Sequence, residues 1–385
     1  MKRSIHTAEQ DDFRASVREF IRSEVVPVFP EWEALGHPPR EFYRQIGKQG
    51  LLGIWVPEKY GGGGATSYAF AAVLMEEIAL AGVGFGCAIP HATLILAYLT
   101  AFGSEDQKQR WLPGVANGEI ILAIAMTEPG TGSDLASIQS TASLSPDGSH
   151  FVLNGAKTFV SGGSVADLIL VVCRTQPRDA DNRRSGFSIL AVDTSSDGVQ
   201  VGQHLQKIGM KANDLVELSF NDVVVPIENC LGEDGNAFEY LSHNLAQERL
   251  SIALTASAGA QAAIEHTLSY VRQRTVFGKP LSSMQNTQFS LAESSAQVEA
   301  IVTMTDRAVS LYDAQELTPS DAAKTKLIAS ELAGQVIDKC LQLHGGYGYI
   351  TEYPIARLYA DIRVTRIYGG TSEVMKMIIA KSMGM

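Results

Sequence analysis

Between residues 237 and 273, Leu241, Leu245, Glu248 and Ile252 recur at intervals of four, three and four. This places one carboxylate in the apolar stripe of a predicted helix. A carboxylate there is costly unless it is paired or faces a cavity, and burial raises its pKa toward that of a base working near neutral pH. On residue type alone the plainer reading is a glutamate at the stripe's edge, paired with a nearby lysine or arginine. A second grouping, Glu128-Pro129-Gly130-Thr131-Gly132-Ser133-Asp134, offers hydroxyls and freely oriented backbone N–H groups. These suit the polar edge or arm of a ligand, and equally a tight turn between two domains. A third, Arg274-Thr275-Val276-Phe277-Gly278-Lys279, carries a guanidinium whose planar donors can meet two oxygens of a diphosphate. An arginine ending a helix is more often simply solvated.

The elements that must position these groups fall into three regions. Residues 1–120 read as an N-terminal helical domain. Phe13, Val17, Phe20 and Ile21 mark a helix over Ala8–Val26, and a similar segment covers Ala69–Ala81. The Gly61–Gly64 tract lacks the lysine and hydroxyl residue of a phosphate loop and reads as a flexible connection. Residues 121–235 form a middle β domain with strands predicted at His150–Leu153, Asp167–Val172, Phe187–Val192 and Val216–Val225. No helix-length amphipathic stretch separates them, which favours an antiparallel barrel or sandwich over a parallel sheet. Residues 236–385 return to helix near Ala237–Gln273, Met284–Ala314, Pro319–Leu343 and Ile367–Ser382, a C-terminal four-helix bundle. The fold class is thus mainly α with a central β domain.

With 385 residues, 45% hydrophobic and 19% charged, the chain suits two or three ordinary globular domains. Its net charge of −11 argues against nucleic-acid binding, although an anionic ligand would need a local basic patch. Cys87, Cys173, Cys230 and Cys340 lie far apart with no CxxC pair, so they read as reduced thiols, and no metal site is expected. The N-terminal MKRSIHTAEQDDF has basic residues but no apolar core after them, and the apolar Ala65–Leu99 stretch is interrupted by Glu76, Glu77, Pro90 and His91. Neither a secretory signal nor a membrane span is expected, and the predicted location is the cytoplasm.

Two further motifs bring the reading to a family. Ala125-Met126-Thr127-Glu128-Pro129-Gly130-Thr131-Gly132-Ser133-Asp134 enters the β region. Gln342-Leu343-His344-Gly345-Gly346-Tyr347-Gly348-Tyr349 ends the third C-terminal helix and is continued by Glu352, Arg357 and Asp361. Together, in this order and with the Arg274–Lys279 segment between them, they resemble the two signatures of the acyl-CoA dehydrogenases. The helical, β, helical order agrees along essentially the whole chain.

The resemblance implies FAD as cofactor and an acyl thioester as substrate. Met126 and Thr127 are expected along the isoalloxazine ring, and Ser133 near the thioester's pantetheine or nucleotide arm. In Lys157-Thr158-Phe159-Val160-Ser161-Gly162-Gly163, Phe159 is expected against the flavin and Ser161 beside its N5, although an ordinary strand with one core aromatic has the same composition. Arg274, Phe277, Gln285, Gln342, Gly345 and Gly346 match contacts made by a neighbouring subunit to the FAD pyrophosphate and adenosine. This implies at least a dimer and, by family habit, a tetramer. Thr371 and Glu373 match contacts from the flavin's own subunit.

Many members of the family carry the proton-abstracting glutamate where this chain has Gly369, in Ile367-Tyr368-Gly369-Gly370-Thr371-Ser372-Glu373. In the isovaleryl-CoA and long-chain branches the base stands at the position of Glu248. The resemblance therefore makes Glu248 the base, with the backbone N–H of Gly369 helping to stabilise the enolate-like oxygen. Arg249 and Gly370 are expected near the substrate. Ala246 stands where several relatives have an aspartate on the pantetheine chain, which leaves coenzyme A and a carrier-protein phosphopantetheine both open as carriers. The implied reaction is α,β-dehydrogenation to a trans-2-enoyl thioester, with electrons passed to an electron-transferring flavoprotein. An oxygen-using acyl-CoA oxidase and a non-catalytic flavin scaffold are the competing readings.

Overall fold

A computed structural model describes residues 3–385; Lys2, one of the two basic residues noted at the N-terminus, lies outside them. The chain opens with helix α1 (Ala8–Phe20), whose Thr7 and Gln10 form a reciprocal capping box. The predicted continuation to Val26 is a π-helical turn over Ile21–Val25, closed by Val26 N donating to Ile21 O at 2.9 Å. Helices α2 (Phe29–Leu35), α3 (Arg40–Lys48), α4 (Ala69–Ala81), α5 (Leu96–Phe102) and α6 (Glu105–Asn117) follow. A second π-helical turn, His91–Ile95, leads into α5. The Gly61–Gly64 tract is not a loose connection. Gly63, Gly64 and Ala65 donate to the carbonyls of Gly53, Val56 and Ile54, each at 2.9 Å, and a Cβ on Gly62 would strike the Val56 carbonyl. The glycines are there for close backbone approach.

The middle region is one eight-stranded sheet of β1 (Leu122–Ala125), β2 (Thr141–Leu144), β3 (His150–Ser161), β4 (Leu168–Arg174), β5 (Phe187–Asp193), β6 (Val199–Val201), β7 (Leu215–Pro226) and β8 (Cys230–Leu231). The strands run in the order β6-β7-β3-β2-β4-β5-β8 with β1 beside β4. Neighbours pair antiparallel except β1 and β2, which each meet β4 in parallel. The long β3–β7 pairing shifts register between Leu153 and Gly155 and again between Lys157 and Val160. The second shift is a bulge at Thr158-Phe159.

Helix α7 (Ala237–Gln273) spans 37 residues, about 55 Å at 1.5 Å per residue. After the hairpin β9 (Thr275–Val276) and β10 (Lys279–Pro280) come α8 (Gln285–Asp313), α9 (Pro319–His344), α10 (Pro354–Ile362) and α11 (Ser372–Ser382). Helix α10 was not foreseen, and the helix expected from Ile367 starts only at Ser372. The reason is local: Gly369 and Gly370 take φ of +62° and +95°, and Thr371 is the extended N-cap of α11, its hydroxyl accepting from Val374 N.

Alanines and Gly259 along α7 let its neighbours approach closely, and Leu250, Leu254 and Ala258 pack against Tyr68, Ala71, Ala72 and Met75 of the N-terminal region. A second core joins Leu99 and Leu112 to Leu168 and Leu170 of the sheet and to Leu241 of α7. The N-terminal end of α7, where Glu248 lies, is therefore held by both other regions. All four cysteines are free thiols. Among the described residues no helix is long and apolar enough to cross a membrane, and no cluster of side chains could hold a metal ion.

Candidate active site

On α7 the predicted stripe is real: Leu241 and Ile252 are buried, with Leu245 and Glu248 partly so. Glu248 makes no hydrogen bond or ion pair among the described residues, so the reading of a paired edge glutamate fails. The residue is only partly buried. Burial raises its pKa, and the positive charges of Arg249 and Lys326 counter only part of that rise. A Cβ placed on Gly369 would lie 3.5 Å from Glu248 Oε1. Helix α7 thus delivers a carboxylate to the space that a side chain at position 369 would otherwise enter.

The groups around this carboxylate include several that residue types alone did not reveal. Lys326 of α9 is fully buried and donates to the Gly370 carbonyl at 2.6 Å. Burial, then the nearby Arg249, pulls its pKa down to about 8. The phenols of Tyr98 and Tyr368 are raised well above their ordinary range by burial and by the charge of Glu248, and the Tyr98 hydroxyl has no protein partner. Arg249 is 6% exposed and its Nε is unpartnered. A lysine in Ala-Lys-Thr-Lys-Leu carries no sequence signal of burial, which arises only when the Gly369-Gly370 turn packs over it.

A second grouping sits at the edge of the sheet. Thr158 N donates to Thr127 O at 2.9 Å, and Lys157 Nζ donates to Met126 O at 3.0 Å and to Glu128 Oε1 at 2.9 Å. Burial pushes Glu128 up, but the Ser140 hydroxyl, the Gln139 N–H and Lys157 together hold it below its usual value. This buried pair ties the 126–134 loop to the bulge in β3. At the bulge Phe159 has φ of +56° and is 62% exposed, a strained and desolvation-prone placement for an aromatic. Ser161 ends β3 half-buried, and Asp214 accepts from Gly162 N and Ser164 N at 3.0 Å, fixing the turn after it. Ser133 is exposed.

The third grouping is distant. A cleft of about 610 Å³ is lined by Arg274, Gln342, Gly345, Gly346 and Tyr347, with the Arg274 guanidinium 5.7 Å from the Tyr347 ring. A Cβ at either glycine would meet nothing within 4 Å, so these glycines keep the cleft wall bare. Phe277 stands at the hairpin tip with φ of +48° and 98% of its surface exposed. Gln285 opens α8 in an exposed position outside the cleft lining. Thr371 and Glu373 lie with the first grouping at the start of α11, where Glu373 is held below its usual range by its own backbone N–H and the Thr371 hydroxyl.

Comparison with known proteins adds the family. Three family models match in chain order: "Acyl-CoA dehydrogenase, N-terminal domain" over residues 7–119, "middle domain" over 123–223 and "C-terminal domain" over 235–384. The chain is 42% identical over 382 residues to the long-chain specific mitochondrial acyl-CoA dehydrogenase of Sus scrofa, covering 98% of this chain and 87% of that protein. The chain belongs to the acyl-CoA dehydrogenase family.

Its fold matches the crystal structure of an acyl-CoA dehydrogenase from Geobacillus kaustophilus with a TM-score of 0.95 at 41% identity, covering all of both chains. It also matches an acyl-CoA dehydrogenase from Bacillus anthracis described as complexed with FAD, with a TM-score of 0.89 at 30% identity over 98% of this chain and 67% of that one. The expected helical, β, helical fold class is therefore correct, as is the oxidoreductase class. Within this acyl-CoA dehydrogenase the structure brings Glu248 to Gly369, and Met126 and Thr127 to the segment 157–161. It gathers Arg274, Gln342, Gly345 and Gly346 around one cleft.

Proposed function

We propose that this acyl-CoA dehydrogenase converts a saturated acyl-CoA to the trans-2-enoyl-CoA with Glu248 as the base. The observation that carries the reading is the 3.5 Å between Glu248 Oε1 and the place of a Cβ on Gly369. The chain's residues fit FAD. An exposed, strained Phe159 offers a ring face, and the loop from Met126 to Ser133 offers hydroxyls and backbone donors. A guanidinium and two bare glycines suit a diphosphate at the cleft. Bound FAD supplies the hydride acceptor at its N5.

Glu248 accepts the α-proton. Its burial among Tyr98, Tyr368 and the α7 stripe lifts its proton affinity toward that of a useful base at neutral pH. An α-proton is only weakly acidic, so the developing enolate-like oxygen needs fixed donors, and the backbone N–H of Gly369 beside Glu248 is assigned that role. Gly369 and Gly370 hold no side chains in the thioester's path, and Arg249 keeps the local field positive without taking a chemical step. Met126, Thr127, Phe159, Ser161, Thr371 and Glu373 serve the flavin of their own chain, with Ser133 also toward the thioester arm.

Arg274, Phe277, Gln285, Gln342, Gly345 and Gly346 serve the flavin of a second copy. Arg274 lies just past the end of α7, 26 residues beyond Glu248 and roughly 39 Å away along the helix axis. A homotetramer in the cytoplasm, reoxidised by an electron-transferring flavoprotein, completes the proposal. The test of substrate class is anaerobic bleaching of the flavin by a panel of straight, branched and aromatic acyl-CoAs and by acyl-carrier proteins. One or more acyl-CoAs should bleach it. Bleaching by an acyl-carrier protein alone would replace the carrier, which Ala246 makes a real alternative, and bleaching by neither would overturn the reading.

A further inference from the structure

Lys326 is a fully buried ammonium without a salt bridge among the described residues. Glu248 and Arg249 face it from α7, Glu331 from its own helix and Glu373 from α11, all at distances where only through-space attraction or repulsion acts. Its hydrogen bond goes instead to a backbone carbonyl, that of Gly370, at 2.6 Å. A charged group is not buried against a neutral acceptor without cost, so the placement calls for a reason.

The reason lies in what that carbonyl belongs to. Gly369 and Gly370 are consecutive left-handed residues, and glycine is the residue with the most conformational freedom to lose. The helix that follows is anchored separately. Thr371 caps it, and Ser372 Oγ donates to Glu331 Oε1 at 2.5 Å. The turn itself has a different tether, and Lys326 supplies it.

We propose that Lys326 is a positioning residue for the reaction: by clamping the Gly370 carbonyl it holds the Gly369-Gly370 turn, and with it the Gly369 N–H, against the carboxylate of Glu248. This inference rests on the reading of Glu248 as base and Gly369 as backbone donor. Lys326 touches neither proton nor hydride in this role. It restrains the Gly370–Thr371 peptide directly and, through the two adjoining left-handed glycines, narrows the arrangements open to the Gly369 N–H.

The experiment compares Lys326→Met and Lys326→Gln, two uncharged side chains of equal length and one atom shorter than lysine, of which only glutamine keeps an N–H donor. Flavin content, ligand affinity and the anaerobic rate of flavin reduction are measured with an acyl-CoA that bleaches the unaltered protein, alongside Glu248→Gln. Lys326→Met should retain flavin and bind ligand nearly normally but reduce about 10- to 100-fold more slowly, less than the loss of a whole oxyanion donor. Lys326→Gln should recover part of that rate.

An unaltered rate in Lys326→Met, or a Lys326→Gln no faster than it, would overturn the proposal. Failure of Lys326→Met to fold as a flavoprotein would assign a structural role and overturn it as well. If Glu248→Gln still reduces its flavin, the underlying base assignment fails instead, whatever the Lys326 variants do.

Discussion

A Cβ on Gly369 would fall 2.3 Å from Ile252 Cδ1 as well as 3.5 Å from Glu248 Oε1, and it would sit on a backbone with φ of +62°. Moving the base back to position 369 therefore meets two obstacles, a flexible methyl that can be trimmed and a left-handed backbone costing a non-glycine residue about 1 kcal/mol or more. Glu248→Gln with Gly369→Glu should stay inactive, whereas adding Ile252→Ala should return part of the flavin-reduction rate. Recovery in the double variant without trimming Ile252 would contradict this packing. Much of this centre was legible in the sequence. The 4-3-4 spacing placed Glu248 on an apolar stripe, and the missing side chain at Gly369 drew attention to it. Lys326, Tyr98 and Tyr368 were not legible, because their closeness to Glu248 comes from helices and turns far apart in the chain.

Secondary-structure elements were read best where they are long and periodic. Helices α7, α8 and α9 lie within a residue or so of expectation, since an apolar face over seven or more turns leaves little choice of period. The short strands β1, β2, β6 and β8, two to four residues each, are too brief to leave a periodic signal. The bulge that exposes Phe159 depends on cross-strand register, which no local pattern specifies.

Helix α10 carries Asp361, which accepts a hydrogen bond from Met210 N and pins the loop before β7. Burial raises Asp361 from 3.8 to about 6. The folded protein then binds more protons than the unfolded chain between those values, so the group lowers stability as pH rises through that window. Asp361→Asn, which keeps the acceptor, should raise Tm at pH 7 and flatten the slope of Tm against pH between about 4 and 6. A Tm that falls at pH 7, with the slope unchanged, would contradict the assignment.

At the scale of the whole molecule, three regions fold around the N-terminal half of α7, while its far end carries Arg274 and the exposed Phe277 hairpin away from that centre. The helical, β, helical order was legible from texture alone, and the motif pair supplied the family. The assembly is implied only by the resemblance, because one chain holds only half of each implied contact set. Arg274→Ala in the assembled protein should lower flavin occupancy and reduce the gain in Tm on adding FAD, as expected for a group that binds only the folded state. Full occupancy with an unchanged gain would remove Arg274 from the site.

In the proposed assignment α7, and not the Gly369 loop, supplies the base. The most direct test is anaerobic stopped-flow mixing of the Glu248→Gln protein with an acyl-CoA that bleaches the unaltered protein. The variant should carry its flavin and bind the ligand nearly normally, while flavin reduction slows by roughly 10²–10⁴-fold. Reduction at a near-normal rate would contradict the account.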